Sequence, residues 1–238
     1  VKPQAILYDL DDTLLVNPVE EFVPAYLKAL SAFVAATVEP ELLSRSLLEA
    51  IRVMDRNTDP GRTNAEVFFD AFLPPLGRPQ AELEVLFARF YRDVFPQLRP
   101  MTRPMEGAGL AVDWARATIP LVAVATNPVF PATAIHQRIR WADLDTDRFD
   151  LITTLESCHA TKAHPAYYRE ITDRLDVSAS ACVMVGDNWR WDVVNPIRAG
   201  MAAWWIADVG ADRPDPDLSI LGQGPLTEFV AFARSTWG

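Results

Sequence analysis

Ala5-Ile6-Leu7-Tyr8-Asp9-Leu10-Asp11-Asp12-Thr13-Leu14 sets a short apolar run directly against three carboxylates. Ala5 to Tyr8 has the length and unbroken apolar character of a strand buried on both faces, and such strands belong to parallel sheets covered by helices. Acids placed where a buried strand leaves its sheet are costly, because like charges a few ångströms apart cannot all ionise without a cation, a proton or strong donors. In open α/β sheets that same edge is where ligands bind. With the backbone extended through Leu10, Asp9 and Asp11 point to one side while Leu10 returns to the core. Two carboxylates facing one point suit a nucleophile beside a general acid/base, with a solvated acidic turn as the alternative.

Outward from this stretch, further strand-length apolar runs recur at Leu121 to Ala125, Asp150 to Thr153, Ala181 to Val185 and Ala202 to Ile206. Helical spacing fills Gly107 to Ala117, Ala166 to Leu175 and Asp192 to Ala199, so strands and helices alternate. This predicts an α/β fold, an open doubly wound parallel sheet with right-handed crossovers. Between the first two strands, Asn17 to Arg103 carries no strand pattern. Apolar residues recur at helical intervals over Glu21 to Ala36, Pro40 to Met54, Asn64 to Phe72 and Ala81 to Phe95, separated by breakers such as Thr58-Asp59-Pro60-Gly61 and Leu73-Pro74-Pro75. The expected organisation is a Rossmann-like core over 1–16 and 104–238 and an inserted all-helical domain over 17–103. Asp208 to Asp217 reads as a surface connection and Leu226 to Trp237 as a closing amphipathic helix.

Composition narrows the function classes. Half of the 238 residues are hydrophobic and 23% are charged, as in ordinary globular chains. A formal charge of -10 argues against nucleic acid, whose backbone needs a basic face. No apolar run is long enough to span a bilayer and no basic, then hydrophobic, leader is visible, so the expectation is a cytoplasmic protein with no membrane partner. Cys158 and Cys182 lack ligand spacing and read as reduced, buried thiols. His136, His159 and His164 show none either, and only His164 stands near Lys162 in sequence.

Three later segments echo the first. Ile119 to Ala125 ends at Thr126-Asn127, where a hydroxyl and the next backbone N–H can donate to a phosphoryl oxygen, although Asn127-Pro128 would also make a plain turn. Lys162 is one of three lysines, with Lys2 and Lys28, in a chain that otherwise uses arginine. A compact ammonium suits a point where one charge must neutralise a phosphoryl oxygen and a carboxylate together. Val183-Met184-Val185-Gly186-Asp187 is another buried strand ending in an acid, with Asp192 five residues on. Carboxylates with phosphate oxygens and water suit magnesium.

These four segments, in this order, resemble the four motifs of the haloacid dehalogenase (HAD) superfamily over nearly the whole chain. The resemblance implies that Asp9 is a nucleophile, that Asp11 is its acid/base partner, that Thr126, Asn127 and Lys162 hold phosphate, and that Lys162 serves catalysis. It implies Mg²⁺ held by Asp9, the backbone carbonyl of Asp11 and Asp187, with Asp192 in support, and a C1-type helical cap at 17–103. Asp12 stands where many members carry glycine, Pro128 follows Asn127 where glycine is common, and Asn195-Pro196 replaces a common Gly-Ala pair. The activity implied is hydrolysis of a small phosphorylated metabolite through an aspartyl-phosphate. A dehalogenase or phosphonate hydrolase is disfavoured by Asp11, a phosphomutase keeps both aspartates, and an idle binding module leaves the acids without a purpose. Arg56, Asn57, Arg62 and Asn64 are read as solvated residues between helices, with a place facing the site as the alternative. Trp189 and Trp191 are read as ordinary packing, with a pocket wall as the alternative. Neither substrate nor oligomeric state is set by the sequence.

Overall fold

The computed structural model describes residues 1–238. From the N-terminus, β1 (Ala5–Tyr8) leads through β2 (Leu15–Val16) into α1 (Val19–Val34), α2 (Pro40–Asp55), α3 (Asn64–Phe72) and α4 (Gln80–Asp93), and the chain returns through β3 (Arg103–Pro104). Then come α5 (Ala108–Thr118), β4 (Leu121–Val124), α6 (Ala132–Trp141), β5 (Leu151–Ile152), α7 (Pro165–Leu175), β6 (Cys182–Gly186), α8 (Asn195–Arg198), β7 (Ala202–Trp205), β8 (Gly222–Gln223) and α9 (Leu226–Trp237).

The main sheet has strand order β5-β4-β1-β6-β7-β8 with every pairing parallel. Connections run first to one side of β1 and then to the other, so a crevice opens at the carboxyl ends of β1, β4 and β6. Alternation along the strands splits the interior in two. Ile6, Tyr8, Val122, Val124, Val183 and Val185 face a cluster containing α5 and α9, whereas Ala5, Leu7, Ala123, Cys182 and Met184 face α7. Both faces of the sheet are thereby covered, which is why these strands read as continuous apolar runs.

The insertion holds α1 to α4. Glu39 caps α2 by accepting from the backbone N–H groups of Glu41 and Leu42, with Pro40 in the first turn, and Thr63 with Glu66 forms a capping box on α3. The two crossings between core and insertion pair as an antiparallel ribbon, Leu15 with Pro104 and Val16 with Arg103. An aromatic seam continues the core into the insertion: Phe95 stacks on Trp141 at 5.2 Å and Tyr26 meets Phe130 edge-on at 5.2 Å. No helix is long and apolar enough to cross a membrane.

Several elements depart from the sequence reading. Helix α6 was not anticipated. β2, β3 and β8 have two residues each, too few for a period to register. The helix expected over Asp192 to Ala199 begins instead as a π-helical turn over Trp189–Val194, before α8.

Candidate active site

β1 continues its ladder one step past the strand, where the Asp9 N–H donates to the Val185 carbonyl at 2.9 Å, and this directs the Asp9 side chain into the crevice. There Lys162 Nζ donates to Asp9 Oδ1 at 2.6 Å and to Asp192 Oδ1 at 2.7 Å, with all three residues buried. Asp187 follows β6 on the neighbouring strand. Oxygens of Asp9, Asp187 and Asp192 lie within 4.8 Å of one another. Gly186 makes this approach possible, because a Cβ there would stand 2.5 Å from the Asp192 carboxyl. The π-helical turn carries Asp192 back under the strand end, where its Oδ2 accepts from the Asn188 N–H at 3.0 Å. Trp205 Nε1 donates to the Asp187 carbonyl at 2.7 Å and Trp189 packs edge-on against Trp205, so the Trp189 indole supports this turn by packing. The Trp191 carbonyl accepts from the Tyr168 hydroxyl.

One ammonium faces three carboxylates. Burial pushes the Asp9 carboxyl well above the usual carboxylate range; Lys162 pulls it back, while Asp192, Asp187 and Asp11 add to the rise. Burial and then the charge of Asp192 push Asp187 up to about 7. Burial works against the Lys162 ammonium too, yet Asp192 and Asp9 outweigh it and hold its pKa above the ordinary lysine value. The cluster therefore holds more carboxylates than its one lysine can neutralise, and without a further cation it retains protons.

The loop bearing Lys162 is held from two sides. Its N–H donates to Asn127 Oδ1 at 3.1 Å, and its carbonyl accepts from Asn195 Nδ2 at 2.8 Å. Asn127 thus uses its side chain to place the lysine. Thr126 is buried at the end of β4, with its carbonyl accepting from Thr153 and Tyr167 hydroxyls, each at 2.8 Å. The Thr126 hydroxyl and the Asn127 backbone N–H make no hydrogen bond within the chain.

Asp11 is turned elsewhere. Its Oδ2 accepts from Arg138 Nη1 at 2.6 Å and its Oδ1 from Asn17 Nδ2 at 2.8 Å, so its carboxylate stands outside the group formed by the other three acids. This corrects the expectation that Asp9 and Asp11 face one point, because the backbone leaves the strand after Asp9 and tightens into a turn. Asp12 adopts φ 50° there, a left-handed conformation that aspartate tolerates and glycine favours. Arg138, on α6, is buried with Nε and Nη2 unpartnered and its guanidinium over the Phe130 ring at 4.5 Å. Its signal in the sequence is positional: Arg138 falls on the stripe Ala134, Ile135, Ile139, Ala142, where an apolar residue is due.

The polar residues between α2 and α3 divide. Arg56 is exposed and Arg62 pairs with Asp70 near the surface, as read. Asn64 is fully buried and Asn57 half-buried, which corrects their reading as solvated. Asn57 Nδ2 donates to the His159 carbonyl and Asn64 Nδ2 to the Ala160 carbonyl, each at 3.1 Å. The N–H groups of Asn64 and Ala65 donate to Cys158 and Leu155 carbonyls, and the His164 ring donates to the Asp55 carbonyl. This corner of the insertion is thus bound to the loop that carries Lys162. Lys28 is exposed on α1, and both cysteines are free and buried.

A family described as haloacid dehalogenase-like hydrolases matches residues 3–200. Among solved structures, the chain is similar to a HAD phosphatase from Thermococcus onnurineus (22% identity, 99% of this chain and 100% of that one, TM-score 0.60). It is also similar to a 2-haloacid dehalogenase from Pseudomonas syringae pv. Tomato DC3000 (23% identity, 98% and 99%, TM-score 0.67). A third similar structure is the HAD-hydrolase YfnB from Bacillus subtilis bound to magnesium (19% identity, 98% and 100%, TM-score 0.57). No curated protein matches the sequence.

Proposed function

The chain belongs to the haloacid dehalogenase-like hydrolase family, and from that premise we propose that it is a magnesium-dependent phosphatase of small phosphorylated metabolites, with Asp9 as nucleophile. The observation that carries this reading is the buried Lys162 bridging Asp9 and Asp192 beside a third carboxylate that it does not neutralise. An excess of hard oxygen donors within 4.8 Å fits a divalent cation better than it fits a metal-free displacement at carbon. Asp9, Asp187 and the Asp11 carbonyl would hold Mg²⁺, with Asp192 behind them. When bound, the ion screens the phosphate dianion from the nucleophile. The magnesium bound to the Bacillus subtilis relative is in keeping with that assignment.

In the first step an Asp9 oxygen attacks phosphorus and the bond to the leaving oxygen breaks. Lys162, the Thr126 hydroxyl and the Asn127 N–H take the phosphoryl oxygens, and Asp11, released from Arg138 and carrying the proton that it took from water in the preceding cycle, delivers that proton to the leaving alkoxide. In the second step Asp11, ion-paired again, takes a proton from water as that water attacks and frees Asp9 and phosphate. Helices α1 to α4 act as the cap that excludes bulk water. The protein works on a soluble metabolite in the cytoplasm.

Phosphate release from acetyl phosphate, compared with chloride release from 2-chloropropionate, tests the reading. Phosphate release that stops on chelation is expected, with no halide. Halide release that persists under chelation would reverse the assignment in favour of the dehalogenase relatives. Transfer between sugar positions with little free phosphate would point to a mutase, and magnesium binding without turnover to an idle binding module.

The raised value of Asp187 gives a second expectation. Folded, metal-free protein keeps a proton on Asp187 that the unfolded chain has already lost, so the stability linked to this group is full below about pH 4 and is lost as pH climbs towards about 7. A cation competes with that proton. Mg²⁺ is therefore expected to raise the melting temperature more at about pH 8 than at about pH 5. An equal or larger rise at the lower pH would show that these carboxylates do not take the ion.

A further inference from the structure

Among α1 to α4 and the loop following β4 lies a groove of about 360 Å³, in which 17 of 20 lining residues are hydrophobic. Helical spacing builds it. Tyr26 on α1, Ile51 on α2, Phe68 on α3 and Phe87 on α4 line its sides, and Leu48, half exposed, lies on its rim. On the core side it is closed by Val129 and Phe130, which follow Thr126-Asn127-Pro128 without a break in the chain.

Its polar side chains other than tyrosine, Glu84 and Thr133, are exposed, and Glu84 already accepts from Gln80. The hydroxyls of Tyr26 and Tyr91 bond each other at 2.9 Å. A sugar or nucleotide placed here would bury hydroxyls without partners, which costs more than leaving them in water. Apolar surface gains on the same transfer. The groove is also joined to the chemistry, because Phe130 lies under the guanidinium of Arg138, and Arg138 holds Asp11. The Phe130 carbonyl in turn accepts from Leu155 N–H at 3.0 Å, which binds the groove floor to the loop leading to Lys162. An apolar cavity of roughly 150 Å³ accepts benzene, so this one has space for a larger hydrocarbon body.

We propose that the alcohol half of the substrate is apolar, an alkyl or aryl phosphate monoester whose hydrocarbon body lies in this groove while its phosphate reaches Lys162. This deepens, and rests on, the phosphatase reading.

The experiment uses the full chain with Mg²⁺ and measures by calorimetry the binding of straight-chain alkylphosphonates, methyl to hexyl, whose P–C bond resists hydrolysis. Each added methylene is expected to tighten binding about fourfold until the groove is filled. Leu48→Asp, at a rim position that leaves the core intact, and Phe87→Ala, which removes a wall, are each expected to flatten this dependence. Hydrolysis of acetyl phosphate, whose small acyl group does not need the groove, runs alongside. If acetyl phosphate is hydrolysed but affinity is flat across the series, the groove is not the alcohol site and the phosphatase reading stands. If acetyl phosphate is untouched, the phosphatase reading fails and takes this inference with it. A steep series that neither variant alters would place the hydrocarbon elsewhere, and a flat series with a dimer that Leu48→Asp dissociates would give the groove to a second copy; both overturn the proposal.

Discussion

Asp9→Asn is expected to lower phosphate release about 10⁴-fold, the scale of losing a covalent nucleophile outright. The substitution keeps the shape of the side chain and an acceptor for Lys162, so the fold is retained. What it removes is the anionic oxygen that forms the bond to phosphorus. It also removes one of the mutually repelling charges of the cluster, so the metal-free variant should unfold at the same or a higher temperature than the parent. Lost turnover with undiminished stability is the signature to seek in paired rate and melting measurements. A variant within about tenfold of the parent rate would mean that the nucleophile is another group.

Lys162→Met is expected to damage both turnover and stability. The ammonium is buried between two carboxylates at 2.6 and 2.7 Å, and its removal leaves Asp9 and Asp192 facing each other in a poorly solvated place. Breaking a buried ion pair from one side costs about 3–5 kcal/mol, and in a chain of this size that lowers the melting temperature by roughly 6–20 °C. Adding Asp192→Asn to Lys162→Met should recover part of the lost stability, since the stranded charge goes too, while turnover stays low because the phosphoryl oxygens still lack their cation. Urea unfolding of the single and double variants checks this. Equal stability of the two would show that Asp192 is not what the lysine neutralises.

The parts of the site legible in the sequence are those whose placement is local. An acid that ends a buried strand must lie at the sheet edge, so Asp9 and Asp187 follow from the apolar runs before them. Lys162 was visible as a rare residue type, although its contacts with Asp9 and Asp192 depend on a loop fixed by Asn127 and Asn195. Arg138 was hidden for the opposite reason: a charge interrupts the apolar stripe of α6, and its partner Asp11 lies 127 residues away. Asn57 and Asn64 have the composition of a solvated corner, and only the fold brings them to carbonyls 102 and 96 residues further along. The turn over Trp189–Val194 has no periodic signature, because its six residues close a ring wider than the α-helical one.

Besides the aromatic seam and the bond that Gln137 Nε2 donates to the Tyr91 carbonyl at 2.7 Å, the helical insertion is fastened by the ribbon of Leu15–Val16 with Arg103–Pro104 and by the five hydrogen bonds that join Asp55, Asn57, Asn64 and Ala65 to the 155–164 segment. A lid pinned along both margins does not swing freely on one hinge. To part from the floor it must first unfasten the second margin, and the strand of chain freed by that act is the one that carries the ammonium. Separation of the insertion from the core and loosening of the arm that bears Lys162 are in this way mechanically coupled, and on the phosphatase reading product would leave only with both.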